Sequence, residues 1–323
     1  MQRKKLIANL LKIAIGLSCF AIVYIKLKSE FTPDKLQILS ETALSWRGFM
    51  CIAFCLLLIP INWGIESYKW MLITEPVEKI SFQTAGQSVY SGVCLGNLAP
   101  GRATEFVAKI LFFKIENRAK ITALHFLNGM FQLSITIFAG LFALLFRMQS
   151  FAETSMWMIY VTSAIGVLII LALAVSIYRL DWILNFVTRK INKEKGLQDF
   201  HYRFTPLLVV QLFGYSALRY AVFFFQYILI IRMLHAEHLP SSVYMSMALY
   251  FLITTTIPMF SVIEAAVRAA IALVVFKDAG ISNTALALSS VMMWLINIIF
   301  PSILGYYFLV KQQFNFRFLN KRN

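Results

Sequence analysis

The sequence predicts an all-α protein, a polytopic membrane helix bundle with two re-entrant, broken-helix hairpins arranged as an inverted repeat. Two observations on the whole chain support this fold class. Of the 323 residues, 59% are hydrophobic and 14% are charged, whereas an ordinary soluble domain has about 25% charged residues. The apolar residues also gather in runs long enough to cross a bilayer. We therefore expect residues 1–323 to form a single transmembrane domain.

The crossing helices are predicted from the lengths of these runs, because a helix needs about 20 apolar residues to span a membrane. Residues 6–25 form the first run, behind a basic start. No small-x-small cleavage site follows it, so we interpret it as a retained first helix rather than a signal peptide. Five further runs predict crossing helices, at about 48–72, 121–146, 155–178, 205–232 and 283–310.

Two other apolar segments, at about 82–113 and 241–276, are interrupted near their middles. Each interruption contains a proline, which removes a backbone donor that a continuous helix needs, and we interpret each segment as a re-entrant hairpin. Three predicted crossings separate the hairpins, so they enter from opposite sides, as in the inverted repeats that bracket midplane sites in transporters. Aligned on the prolines, the breaks read Asn97, Pro100, Glu105, Lys109 and Thr255, Pro258, Glu264, Arg268.

The formal net charge of +15 is interpreted as a topology signal. Basic residues, among them Lys69, collect on one side of the predicted topology, above all in a loop at about 179–204. The positive-inside rule places that side and both termini in the cytoplasm of a cell membrane of the inner or plasma type. The loop also has the alternation of an amphipathic helix on an anionic leaflet. We expect no nucleic-acid partner.

The breaks predict a site for an anion. A half-helix that ends inside the membrane leaves free N–H groups and the positive end of a helix dipole, which attract negative charge. Arg102 would strengthen this attraction, and Arg219 is a further charge deep in an apolar run. Asn62 and Glu66 are weaker candidates near a predicted helix end. The candidate substrate-binding residues are Asn97, Pro100, Gly101, Arg102, Glu105, Lys109, Arg219, Glu264 and Arg268.

Structural explanations exist for the same acids. The order Ser261 to Glu264 fits a capping box, and each acid precedes a base by four residues, which favours a local ion pair. Cys51 and Cys55 share a helix face but have no nearby His or acid to complete a metal site. The chain has no P-loop, no G-x-G-x-x-G and no G-x-S-x-G motif. We expect neither a metal nor a cofactor.

The first break, from Gly96 through Arg102 to Glu105, resembles the N-x-x-P-G-R-x-G-E element of the lysylphosphatidylglycerol synthase transmembrane, flippase-like family. The second break is similar to the later P-G-G-x-G-x-x-E-A element, and residues 62–72, with a basic residue before Trp70, resemble the end of the family's second helix. Thr104 replaces a usual glycine. At the second break, bulkier residues replace small ones, at Met259, Phe260 and Val262.

The resemblance implies an integral-membrane translocase that moves an anionic phospholipid or a polyprenyl-linked lipid between leaflets. Membrane lipids with anionic head groups would be its partners. Two alternatives stay open from the sequence. One is an intramembrane transferase with a general base such as Glu105 or Glu264, and the other is a non-catalytic membrane partner of such an enzyme.

Overall fold

The computed structural model describes residues 37, 40–42, 44–97, 99, 102–149, 204–235, 238–257 and 261–320, together with single positions between 160 and 179. Several predicted features lie outside the described residues. They are the first helix at 6–25, most of the crossing at 155–178, the basic loop from 180 to 203, both chain termini, and the residues Pro100, Gly101 and Pro258.

The described part of the chain is helical and contains no strand, which confirms the predicted all-α class. Short 3-10 turns at Ile110–Phe112 and Ile115–Asn117 precede the long α4, and a π-helical turn at Leu295–Ile299 joins α8 to α9. The helices are α1 (Trp46–Thr74), α2 (Phe82–Gly96), α3 (Glu105–Lys109), α4 (Arg118–Gln149), α5 (Pro206–Leu234), α6 (Ser242–Thr256), α7 (Ser261–Val275), α8 (Asn283–Trp294) and α9 (Phe300–Asn320).

Four helical stretches are long and apolar enough to cross a membrane: Trp46–Thr74, Ile115–Phe146, Pro206–Leu234 and Asn283–Gln312. They coincide with four of the predicted crossings, and the chain is a polytopic membrane protein. Their ends follow ordinary capping chemistry. Ser45, for example, accepts a hydrogen bond from the Gly48 amide at 3.1 Å and so begins α1.

The first hairpin consists of α2 and the much shorter α3, which run antiparallel. Gly92 of α2 packs against the side chains of Glu105 and Lys109, and Gly96 packs against Arg102 and Glu105. The second arm was predicted to extend to about 113, but its α-helix ends at Lys109. The difference arises because the chain passes through a 3-10 turn and becomes extended at Phe113.

The second hairpin has two equal arms, because α6 and α7 each contain 15 residues. The start of α7 follows the end of α6 after four residues. Tyr250 of α6 packs against Phe276 just beyond α7, with ring centroids 6.2 Å apart. Both predicted segments therefore contain a broken helix. That they re-enter the membrane, and do so from opposite sides, stays a prediction.

Close helix contacts hold the hairpins in the bundle. Along the first hairpin, α9 packs so tightly that Gly305 touches the backbone carbonyl of Tyr90, and Asn97 donates a hydrogen bond to Ser302. Beside the second hairpin, Gly140 of α4 packs on Leu252 of α6. Helix α1 packs against both α5 and the first hairpin. This arrangement positions the polar residues of α1.

Candidate functional site

A polar stripe runs along one face of α1, where Asn62, Glu66 and Lys69 follow one another at helical spacing. All three residues are buried, with Lys69 fully enclosed and Glu66 only 5% exposed. Charged groups at membrane depth are costly unless other groups pair with them. The stripe therefore needs partners from the surrounding helices.

Glu66 receives such partners from three directions. Its Oε2 lies 2.5 Å from Nη1 of Arg219 on α5 and 3.5 Å from Nζ of Lys69. Its Oε1 accepts a hydrogen bond from Nδ2 of Asn128 on α4, at 2.7 Å. The Arg219 guanidinium also donates from Nε to Oδ1 of Asn62, at 3.0 Å. One carboxylate thus ties α1, α4 and α5 together.

The first hairpin joins this network through Lys109. Its Nζ lies 2.8 Å from Oε1 of Glu105 on the same arm and 3.8 Å from Oε1 of Glu66. The ammonium also lies 5.0 Å from the centre of the Trp70 ring, a cation–π distance. Close packing makes this reach possible, since a Cβ at Gly92 would lie 2.9 Å from Cγ of Lys109.

The resulting cluster, defined as Glu66, Lys69, Glu105, Lys109 and Arg219, does not balance its charges. It holds three cationic and two anionic side chains, a formal surplus of one positive charge. Buried donors near it also lack partners among the described residues, namely Nδ2 of Asn62 and Nε1 of Trp63. Buried donors usually find acceptors. The cluster therefore has both the charge and the donors to bind an anionic oxygen.

The predicted site residues of the first hairpin have different surroundings. Glu105 and Lys109 are in the cluster, together with Arg219 from a distant part of the chain. Arg102 is partly buried next to it and has a φ of 57°, a conformation that costs free energy in residues other than glycine. Asn97 instead bonds Ser302 of α9. Pro100 and Gly101 lie outside the described residues.

At the second hairpin, Glu264 and Arg268 contact one another rather than the cluster. Nη2 of Arg268 lies 2.8 Å from Oε1 of Glu264, and Nε1 of Trp294 on α8 donates to the other carboxylate oxygen at 3.4 Å. Tyr250 of α6 also interacts with the Arg268 guanidinium, and the Glu264–Arg268 pair is electrically neutral. The local ion pair that the spacing allowed is therefore present in the structure.

Sequence reasoning missed the centre of the cluster. Lys69 was counted only among the basic residues of the predicted cytoplasmic side, near the end of the predicted helix 48–72. The structure places it in α1, fully buried between Glu66 and Ser216, and this role was not predicted. Asn62 and Glu66 were ranked as weak candidates because of their position near a helix end. The available signal was the spacing of residues 62, 66 and 69, which places one stripe on an otherwise apolar helix.

The groups that could hold a metal ion are few in this part of the protein. Among the described residues, no three His, Cys, Asp or Glu side chains come together. Cys51 and Cys55 instead contact the backbone of α5, where Sγ of Cys51 lies 3.2 Å from the Leu229 carbonyl oxygen.

The model of the family described as lysylphosphatidylglycerol synthase TM region matches residues 9–305, which include every helix of the cluster. A search of curated proteins found no match.

Proposed function

The chain belongs to the lysylphosphatidylglycerol synthase TM region family, and from that premise we propose that it is a translocase that moves an anionic phospholipid or a polyprenyl-linked lipid between leaflets. The observation that carries the proposal is the surplus positive charge of the cluster, buried among apolar membrane helices. A lipid phosphate would neutralise this surplus. It would also provide acceptors for the unpartnered donors of Asn62 and Trp63.

In the proposed mechanism the head group enters beside Glu105, at the more open end of the cluster. The Glu105 side chain is 15% exposed, whereas that of Glu66 is 7% exposed. Lys109 would exchange its contact with Glu105 for one with the phosphate, and Arg102 would assist from the break. Because charge-assisted hydrogen bonds to phosphate are strong, this exchange would stabilise the head group in the bundle, while Glu105 becomes free to gate the site.

The second hairpin would act at another stage of the transfer. Arg268 would bind the phosphate after leaving its local pair, and Glu264 would gate that end. The remaining predicted residues, Asn97, Pro100 and Gly101, would shape the first break, and Arg219 would fix the position of Glu66. The proposed lipid-binding set is thus the one predicted from the sequence, with Glu66 and Lys69 added.

Reconstitution tests this function. Purified protein in vesicles with a fluorescent anionic phospholipid should move the label between leaflets faster than protein-free vesicles do. Glu105→Gln and Arg102→Ala should slow it. Glu75→Gln is a matched control, because Glu75 forms an exposed pair with Lys79, at 3.2 Å, and should leave the rate unchanged. Equal rates with and without protein would refute the proposal.

Analysis of lipid products separates this function from the two alternatives. A translocase changes the leaflet distribution of a lipid and leaves its head group intact, whereas a transferase changes the head-group structure. A deletion strain with altered head groups and unaltered leaflet distribution would therefore indicate a transferase. Stable co-purification with a separate enzyme, combined with no transfer by the pure chain, would indicate a non-catalytic partner.

A further inference from the structure

A groove of about 250 Å³ lies between α1, α2 and α9, apart from the charged cluster. Pro60, Gly64 and Ser67 form its wall on α1, and Phe308 closes it from α9. Five residues of α2 complete the lining: Phe82, Gln83, Gly86, Gln87 and Tyr90.

Trp63 separates this groove from the cluster. Its ring lies 6.0 Å from the ring of Tyr90, which lines the groove, and 5.3 Å from the guanidinium carbon of Arg219, which belongs to the cluster. An occupant of the groove is therefore held by different residues from those that would bind a phosphate in the cluster. The groove is a second site.

The lining indicates what kind of molecule fits. Most of the wall's surface is apolar, yet the wall includes the amides of Gln83 and Gln87, one helical turn apart, for which no hydrogen bond to another described residue is present. Two of the three groove-forming helices, α1 and α9, belong to candidate membrane spans, so an occupant would come from the bilayer. An apolar chain that carries a few acceptors satisfies both parts of the wall, since unpaired polar groups are costly in hydrocarbon.

The volume of the groove and the charge near it indicate that its occupant is part of a phospholipid. Pockets for whole drug-sized ligands have volumes of roughly 300–1,000 Å³, so this groove holds one chain and its ester rather than an entire lipid. Lys79 precedes Phe82 by three residues but is paired with Glu75. Lys311 follows Phe308 by about one turn and is exposed, and a cation at this level attracts a lipid phosphate.

We propose that the groove binds one acyl chain of a glycerophospholipid, with the ester carbonyls at Gln83 and Gln87 and the phosphate at Lys311. The inference goes beyond the proposed translocation, because it concerns binding at a site outside the cluster. It holds whether or not the bound lipid is transported.

The glycines provide a precise way to fill the groove. A Cβ at Gly86 would meet only Ser67 Oγ, at 3.6 Å, and one at Gly64 would meet only Phe82, at 4.0 Å. Both are ordinary contacts, so the helices tolerate a side chain there while the groove loses volume. Gly214 of α5 is the matched control, because it is exposed and a Cβ there meets nothing within 4 Å.

The experiment uses the full chain in vesicles that contain phosphatidylglycerol with a photoreactive diazirine in its acyl chain. Light should label the peptide with residues 82–90. Gly86→Leu should lower this labelling by about tenfold, equivalent to about 1.4 kcal/mol of binding free energy, because the leucine side chain would occupy space that the acyl chain needs. Gly214→Leu should leave it unchanged. Equal labelling in wild type and Gly86→Leu, both shown to be folded by thermal melting, would overturn the proposal.

Two further measurements distinguish lipid binding in the groove from other occupants and from the translocation mechanism. With Phe308 replaced by photoreactive benzoylphenylalanine, an adduct of lipid mass supports the proposal, whereas a cross-link to residues 6–25 or to a second copy of the chain overturns it. Glu105→Gln should retain the labelling of residues 82–90 even where lipid transfer is lost. Failure of the groove and failure of the translocation mechanism are thereby distinguishable.

Discussion

Lys109 at the first hairpin lies between carboxylates from two different helices, whereas Arg268 at the second hairpin pairs with Glu264 on its own helix. The two hairpins share the order of acid and base in the sequence. They differ in what surrounds that pair, since only the first lies against the polar stripe of α1. An acid and a base four residues apart can therefore form either a local ion pair or one end of a tertiary network.

Removal of the central carboxylate should have the largest effect. Glu66→Gln leaves Lys69, Lys109 and Arg219 with less opposing charge in a buried site, and loss of one partner from a buried pair typically costs about 3–5 kcal/mol. We expect a loss of that size in the free energy of unfolding, measured by titration with SDS. An effect no larger than that of Glu264→Gln would mean that the two hairpins are equivalent.

The helix contacts beside the two hairpins should differ in how much free energy of unfolding is lost when a methyl group is added. Gly305→Ala would place a methyl group 1.9 Å from the Tyr90 carbonyl oxygen, whereas Gly140→Ala would place one 2.5 Å from Cβ of Leu252. Both changes force helices apart, but the overlap is smaller at Gly140. Overpacking costs about 1–3 kcal/mol, and we expect the upper end of that range for Gly305→Ala and the lower end for Gly140→Ala. SDS unfolding of both variants, side by side, makes the test. The reverse order would contradict the packing described for α9.

The shape of the Arg219 side chain should matter as well as its charge. Arg219→Lys keeps the charge but cannot hold Asn62 and Glu66 at once, because lysine lacks the planar fork of donors. The lost hydrogen bond to a charged group should cost about 2 kcal/mol. The exchange Arg268→Lys is the control at the second hairpin, where the base has one local acid. Equal losses of unfolding free energy in Arg219→Lys and Arg268→Lys would argue against a specific role for the planar donor groups of Arg219.

The smallest effect is expected from the local pair. Glu264→Gln removes the charge of one local pair but keeps an oxygen that can accept from Arg268, and we expect a cost of about 1 kcal/mol, the scale of one hydrogen bond. Differential scanning calorimetry in detergent would measure it. A cost comparable with that of Glu66→Gln would show that Glu264 has partners beyond Arg268 and Trp294.

The sequence was sufficient for the parts that local chemistry determines. Apolar runs predicted four crossing helices, prolines predicted two broken segments, and a lone arginine in an apolar run marked Arg219. The cluster was harder to predict, because Glu66 meets Arg219 across 153 residues. No short segment of the sequence contains both residues of this pair. Lys69 looked like an ordinary topological charge until α4 and α5 were packed around it.

The cluster at the first hairpin, with its surplus positive charge, is the proposed anion site, and the neutral Glu264–Arg268 pair is proposed to be secondary. The most direct test compares Lys109→Gln and Arg268→Gln in vesicles, as rates of transfer of a fluorescent anionic lipid. Lys109→Gln removes the surplus charge and should slow transfer by about tenfold, equivalent to about 1.4 kcal/mol, with a clearly smaller effect for Arg268→Gln. Equal slowing, or greater slowing by Arg268→Gln, would contradict the account.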